Sequence, residues 1–307
     1  MTGPSVRLTF FPSPGDFLTA AADFLAADPV LSTVVATVTA RLRDQRAERA
    51  EPPDVTQWWV VAHDTSDRIV GAAMRTAPSP PYPLYLMPMP DEAAELLARE
   101  LHERGEEVGG VNGALPAIRV FADAYAGLAG AEVSVGMHTR LFELGERHQP
   151  PPVPGRLRLA HDEDVDLALH WFEAFGRDAD EQAGRPAGTH SETGGGHPDR
   201  DGIVRRIDGG RLWFWEDDDG TPVHLTGANP PAFGVSRIGP VYTPVEFRRR
   251  GFAGAAVSEV SAILQSSGER VCLFTDQANP TSNKIYQSIG YRPVVDMANL
   301  RISRQGA

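Results

Sequence analysis

Three consecutive arginines, Arg248 to Arg250, stand directly before Gly251. A predicted strand ends near Thr243, and an apolar stripe predicts a helix over 251–265. The start of such a helix carries backbone N–H groups without intrahelical partners and the positive end of the helix dipole. Because glycine lets a ligand approach the backbone closely, the segment predicts a phosphate or pyrophosphate site. The alternative is that the arginines form a solvated surface turn.

The spacing around this loop differs from two common phosphate-binding motifs. Neither Gly-x-x-x-x-Gly-Lys-Ser/Thr nor Gly-x-Gly-x-x-Gly occurs there. The small residues Ala253 and Gly254 leave the first helical turn unobstructed. A local run of positive charge is unexpected in a chain whose net charge is -12, and this favours the anion site over the surface turn.

A proline-rich stretch at 148–155 divides the chain into two nearly equal halves. It holds four prolines and a glycine, which cannot sustain a helix or a central strand. We therefore expect a stiff linker at 148–155 between a domain over 1–147 and a domain over 156–307. Helix and strand signals follow the same order in both halves, which predicts a duplicated α+β fold, an α/β arrangement around a mixed sheet.

Composition excludes several classes of protein. With 307 residues, of which 41% are hydrophobic and 23% charged, the chain is globular rather than disordered or fibrous. Its apolar runs fall short of the roughly 18 residues that a membrane helix needs, and 1–11 has no signal-peptide pattern. The net negative charge argues against a nucleic-acid or anionic-membrane binder. We expect a cytoplasmic protein; the sequence does not indicate its oligomeric state.

Other reactive residues carry weaker signals. Cys272 is the only cysteine, which excludes an intramolecular disulfide and a cysteine-rich zinc site, and we expect it in the core. His190, Glu192 and His197 lie on a stretch predicted to be a mobile loop, at a spacing that fits no recognised metal site. We therefore predict no metal.

The second half resembles the GNAT superfamily of N-acetyltransferases. Arg248 to Ala253 is similar to the family motif Arg/Gln-x-x-Gly-x-Gly/Ala, and Asn279 to Tyr286 is similar to the start of the helix that follows the next strand. Ile289 to Val294 resembles the family's turn into the last strand. The resemblance covers about 156–307 and is strongest over 237–294. It implies a catalytic GNAT domain in this half, and a tandem arrangement of two GNAT-like domains.

The resemblance also implies a co-substrate, acetyl-CoA, with its pyrophosphate on the backbone of the arginine loop and its pantetheine arm along the preceding strand. The residues implied in cofactor binding are Val241, Thr243, Arg248, Arg249, Arg250, Gly251, Phe252, Ala253, Gly254, Asn279 and Ser282. Asn279 and Ser282 have helix capping as an alternative role. Replacing Gly251 with glutamate is expected to abolish cofactor binding with little effect on the fold.

Tyr286 is the catalytic residue that the resemblance implies, as the general acid for the CoA sulfur; packing in the core is its alternative role. The family often has a glutamate on the strand before the loop, but this sequence has no acid between Arg237 and Thr243. Glu216 and His224 are candidate bases, although a solvent-exposed turn acid and an ordinary strand histidine are the more common roles. An amine that arrives neutral needs no base.

The first half has no such motif, and Glu107 to Ala114 stands where the loop is expected. We interpret 1–147 as a degenerate GNAT-like domain. The leading hypothesis is an acetyl-CoA-dependent N-acyltransferase that acts on a primary amine of a small molecule or a peptide. The alternative is a non-catalytic acyl-CoA-binding or sensor protein.

Overall fold

A computed structural model describes residues 6–48, 57–77, 81–182 and 199–304. The chain forms two compact units. Unit 1 comprises Met1–Thr139 together with Val295–Ala307, and unit 2 comprises Arg140–Val294. Among the described residues, none of the helices combines the length and apolar character that a membrane-spanning segment requires.

Unit 1 is a sheet with helices on both faces. Its elements are β1 (Val6–Phe11), α1 (Pro14–Ala20), α2 (Ala22–Ala27), α3 (Thr33–Glu48), β2 (Trp58–Asp64), β3 (Ile69–Arg75), β4 (Leu84–Leu86), α4 (Asp91–Glu103), β5 (Gly110–Ala114) and α5 (Ala117–Ala129). The strands lie in the order β1-β2-β3-β4-β5, with β4 and β5 parallel and the other neighbours antiparallel.

Alternation along β2 shows how unit 1 builds two cores. Trp58 and Val60 pack with the helices α4 and α5, whereas Trp59 and Val61 pack with the helices that precede the strand. Successive side chains of a strand point to opposite faces. A strand that is buried on both faces therefore needs the continuous apolar run that this sequence has.

Unit 2 repeats the arrangement. Its elements are β6 (Ala131–Leu144, in unit 2 from Arg140), β7 (Arg156–Leu159), α6 (Val165–Gln182), α7 (Arg200–Asp208), β8 (Leu212–Glu216), β9 (Pro222–Ala228), β10 (Val235–Tyr242), α8 (Phe252–Ser266), β11 (Arg270–Asp276), α9 (Pro280–Ser288) and β12 (Tyr291–Arg304, in unit 1 from Val295). Its strands lie in the order β6-β11-β10-β9-β8-β7. Trp213 packs in the core of α8 and α9, and Phe214 packs in the core of α6 and α7.

The two units differ from the predicted division at 148–155. The last strand, β12, pairs with β5 of unit 1 from Met297↔Ala114 to Arg301↔Gly110, so 295–307 does not belong with the rest of the second half. The proline-rich stretch lies within unit 2 and is bonded there, since the Trp215 indole N–H donates to the Pro154 carbonyl at 2.8 Å. It lies inside unit 2 rather than between the two units.

The position of the missing loop in unit 1 also differs from the sequence interpretation. Gly110–Ala114 is the strand β5, not a loop before a helix. By element order, the segment that corresponds to the arginine loop joins β4 to α4, and its sequence is Met87-Pro88-Met89-Pro90. It carries no cation and no glycine.

Candidate functional site

The site begins where two parallel strands separate. The ladder between β10 and β11 runs from Val235↔Arg270 to Ile238↔Leu273. Beyond Ile238, β10 continues to Tyr242 in register with β9, after an irregularity between Ile238 and Val241. Strand β11 also continues, to Asp276, so the carboxyl ends of β10 and β11 are no longer paired with each other. The predicted pantetheine positions, Val241 and Thr243, lie on or directly after this diverging part of the strand.

The loop after β10 has two residues in the left-handed region. A 3-10 turn over Val245–Phe247 follows the strand. Arg249 then has a φ of 64° and Gly251 a φ of 88°. Side chains other than glycine rarely adopt such angles, so the glycine meets a conformational requirement. The loop therefore turns tightly and leads directly into α8, which begins at Phe252.

The N-terminus of α8 is open. Gly251 is the N-cap, and in the described part of the chain no side chain makes a capping hydrogen bond to this helix. Its 15 residues sum to a dipole whose positive end lies at Phe252 to Gly254. The Phe252 side chain is buried and packs with Val223 and Ala256, so its ring is not exposed at the start of the helix.

Val153 packs so close to Gly251 that it restricts which residues can replace this glycine. A Cβ at Gly251 would lie 2.8 Å from Val153 Cγ1, in addition to the positive φ. The expectation that Gly251→Glu spares the fold is therefore wrong, because both the backbone angle and the packing oppose any side chain. Gly254 differs, since a Cβ there would lie at an ordinary 3.7 Å from Ile285 Cγ2 on α9.

The three arginines have different environments. Arg248 is bound within the protein: its Nε donates to the Thr243 carbonyl at 2.9 Å, and its Nη2 lies 2.5 Å from Asp178 Oδ2. Arg249 and Arg250 are exposed, and Arg250 also donates to the Glu246 carbonyl at 3.3 Å. Arg249 and Arg250 therefore present their charge to solvent beside the start of α8, while Arg248 is bound to Thr243 and Asp178.

Asp178, on α6, is a site residue that the sequence interpretation missed. It accepts a 3.0 Å hydrogen bond from the Tyr242 hydroxyl as well as the Arg248 contact. Burial, followed by the interaction with Asp178, raises the pKa of Tyr242 to about 12. Helical spacing gave no signal for this contact, because its partners are about 70 positions further along the chain.

Neither candidate base is available as one. His224 is fully buried, and its two ring nitrogens lie 2.7 Å from Thr243 Oγ1 and 2.8 Å from Thr226 Oγ1. Burial lowers the pKa of His224 to about 3, so the ring is neutral. Glu216 contacts Arg158 and Arg156, and the Arg158 guanidinium lowers the pKa of this carboxyl.

Tyr286 lies in the core between α9 and the sheet, with its ring 6.1 Å from that of Tyr291. Burial raises the pKa of the Tyr286 phenol, which stays protonated at neutral pH. The Tyr291 hydroxyl lies 2.8 Å from Ser261 Oγ. The packing role that the sequence left open for Tyr286 is thus present.

Asn279 and Ser282 form a helix cap. Asn279 is the N-cap of α9, and its Oδ1 accepts the Ser282 backbone N–H at 3.1 Å. This is the alternative role that the sequence predicted for both residues. Cys272 is buried, as expected. His190, Glu192 and His197 lie outside the described residues.

Comparisons with known proteins agree on the fold. Residues 232–301 match the family described as FR47-like protein, whereas a search of curated proteins found no match. A GCN5-related N-acetyltransferase from Sphaerobacter thermophilus is similar over 100% of this chain and 98% of its own, at 17% identity and a TM-score of 0.60.

Two further solved structures have the same architecture. A GNAT-family acetyltransferase from Colwellia psychrerythraea covers 97% of this chain and 100% of its own, at 11% identity and a TM-score of 0.57. A tandem GNAT protein from the clavulanic acid biosynthesis pathway covers 98% and 99%, at 14% identity and a TM-score of 0.53. At these identities the likeness establishes the fold. The resemblance read from the Arg248–Ala253 motif is thereby confirmed, and the chain has the tandem GNAT fold.

Proposed function

We propose that this chain is an acetyl-CoA-dependent N-acetyltransferase whose cofactor site lies in unit 2. The observation that carries the proposal is the open N-terminus of α8, which follows the left-handed Gly251 beside the diverging end of β10. A helix start of this kind binds phosphate groups through backbone N–H donors and the helix dipole. The match of residues 232–301 to the FR47-like family, a range that includes this loop and the start of α8, adds support.

Each part of the site has a distinct task. The N–H groups of Phe252 to Gly254 hold the pyrophosphate, and Arg249 and Arg250 add positive charge. Val241 and Thr243, on or directly after the part of β10 that no longer pairs with β11, are proposed to line the pantetheine arm. Acetyl-CoA supplies an activated acyl group as its thioester. The Asn279 side chain and the Ser282 backbone N–H form the cap that positions the start of α9 beside this site.

Tyr286 is the proposed proton donor. A tyrosine hydroxyl is protonated throughout the neutral pH range at its ordinary pKa, and burial raises the pKa of Tyr286 further. As the amine nitrogen bonds to the acetyl carbon and the carbon–sulfur bond breaks, the Tyr286 Oη gives its proton to the leaving sulfur, and the proton that the new amide nitrogen loses returns to the Tyr286 oxygen through water.

The acceptor is proposed to be a primary amine of a small molecule or a peptide. Strand β10 carries no acid, and Glu216 and His224 are bound to other groups. The amine therefore reacts in its neutral form, after losing its extra proton to water. Nucleic acid and membrane are not proposed partners, in line with the net charge of -12. Unit 1, whose Met87–Pro90 connection lacks cations, is proposed to be a degenerate GNAT-like domain.

Ala253 offers a direct test of the anion site. It is the second residue of α8 and is half-buried. An aspartate there suits the helix N-terminus, so Ala253→Asp keeps the fold while its carboxylate repels a diphosphate. We expect at least a tenfold rise in the Kd for CoA by titration calorimetry. Ala253→Asn is the neutral control and should bind CoA more tightly than Ala253→Asp. Equal affinities in the two variants would remove this loop from the site.

A second candidate function, a non-catalytic acyl-CoA-binding or sensor protein, is favoured by the absence of an acid on β10. Both functions predict CoA binding. Only the transferase releases free thiol when acetyl-CoA is mixed with a panel of primary amines. Thiol release above the rate without amine supports the transferase, and CoA binding without it supports the sensor.

A further inference from the structure

We propose that Asp178 is a positioning residue for cofactor binding: its carboxylate fastens Arg248 and so fixes the loop that presents backbone N–H groups to the diphosphate. This inference rests on the proposed function and names the residue that prepares its site.

The contacts form a closed ring. Asp178 Oδ2 accepts hydrogen bonds from the Tyr242 hydroxyl at 3.0 Å and from Arg248 Nη2 at 2.5 Å. Arg248 Nε donates to the Thr243 carbonyl at 2.9 Å. Because Tyr242 and Thr243 are neighbours in the chain, the ring ties the end of β10, the far end of the 3-10 turn and α6 to one another. Five residues, 243–247, lie between Tyr242 and Arg248, the two residues that the Asp178 carboxylate holds.

The burial of the pair makes it stronger than a surface ion pair. The Asp178 side chain is 14% exposed and the Arg248 side chain 27%. Water screens such a pair incompletely, and removing one partner leaves the other partly buried and uncompensated. The pair also neutralises Arg248, so this arginine contributes shape to the site rather than charge.

The order imposed on the loop favours binding. A ligand that meets groups already in place does not have to order them. The residues after Arg248 include Arg249, at a φ of 64°, and Gly251, at 88°, so the chain leaves the ring in an unusual conformation. With Arg248 released, the loop samples other paths, and the N–H groups of α8 lose the defined approach that leads to them.

The test is Asp178→Asn. We expect the Kd for CoA to rise about tenfold, which corresponds to about 1.4 kcal/mol, and the KM for acetyl-CoA to rise with it. Turnover at saturating acetyl-CoA should stay within about twofold, because the acyl-transfer groups are untouched. Glu181→Gln is the matched control: Glu181 is an exposed acid on the same helix, and this variant should bind CoA like the wild type.

Arg248→Lys tests the same ring from its other side and keeps the positive charge. A lysine cannot reach both Asp178 and the Thr243 carbonyl, so CoA affinity should fall here too. Wild-type affinity in either folded variant overturns the role of Asp178, and so does an equal loss in Glu181→Gln. If the wild-type chain itself does not bind CoA, the proposed function fails first, which distinguishes the two failures.

Discussion

His224 Nδ1 lies 2.7 Å from the hydroxyl oxygen of Thr243, which joins the middle of β9 to the first residue after β10. The other ring nitrogen is 2.8 Å from Thr226 Oγ1. Thr243 is therefore held twice, by His224 at its hydroxyl and by Arg248 at its carbonyl. A neutral histidine under the start of the loop fixes the point from which the cofactor segment leaves the sheet.

The burial of His224 predicts a pH dependence of stability. Its pKa falls from an ordinary 6.5 to about 3 in the fold. Between these values the unfolded chain binds a proton that the folded chain does not, so stability decreases as pH falls, by up to about 1.4 kcal/mol per pH unit. Urea unfolding of the wild type and of His224→Gln between pH 4 and 6 measures the difference. Parallel stability curves for the two proteins would contradict this role.

The close approach of Gly251 and Val153 predicts that the stability effects of substitutions at these two positions are not additive. Gly251→Ala places a Cβ 2.8 Å from Val153 Cγ1 and a side chain at a φ of 88°. We expect the free energy of unfolding to drop by about 1–3 kcal/mol. Val153→Ala opens space and should recover about 1 kcal/mol of that loss in the double mutant. Gly254→Ala, with ordinary contacts, is the control and should keep wild-type stability; strictly additive effects would show that the two residues do not clash.

Replacing Glu216 is expected to lower the stability of the protein without changing its catalytic rate. Its carboxylate contacts Arg158, which also holds Asp164 at 2.6 Å and 2.9 Å. Because the interaction with Arg158 lowers the pKa of Glu216, its contribution is present above the ordinary pKa of a glutamate and is lost as pH falls through the lowered value. Glu216→Gln should lower the Tm by a few degrees and leave the pH–rate profile unchanged. A shift in the pH–rate profile would instead support Glu216 as the general base.

The segment from β10 to α8 could be predicted because its signals are local. The strand was expected to end near Thr243 and ends at Tyr242; the helix was expected over 251–265 and is Phe252–Ser266. Gly251, the apolar spacing and the arginines all lie within one stretch of sequence. The cap at Asn279 was visible for the same reason, since its partner is three residues away.

The rest of the site depends on contacts that no local pattern encodes. Asp178 meets Arg248 across 70 positions, and only the packing of α6 on β10 joins them. The strand β5 was missed because Gly110-Val111-Asn112-Gly113-Ala114 has low β-propensity, and its burial comes from neighbouring strands. The division into two units was displaced because β12 pairs with β5, a choice that the proline-rich stretch does not signal.

Variants of two neighbouring tyrosines can distinguish proton donation by Tyr286 from a role in packing. Tyr286 and Tyr291 are both buried, and their rings are 6.1 Å apart; within the described ranges the Tyr291 hydroxyl has a partner, Ser261 Oγ at 2.8 Å, and the Tyr286 hydroxyl has none. Tyr286→Phe removes the proposed acid without changing the shape of the core. We expect turnover to fall about 10²–10⁴-fold, with the Kd for CoA changed less than threefold.

Tyr291→Phe removes a buried hydrogen bond instead. It should lower the free energy of unfolding by about 1 kcal/mol and leave turnover close to wild type. The two variants together assign the effect, because a general disturbance of the core would reduce turnover in both. Equal turnover in Tyr286→Phe and the wild type would mean that the Tyr286 hydroxyl does not protonate the leaving sulfur, and that this proton comes from water.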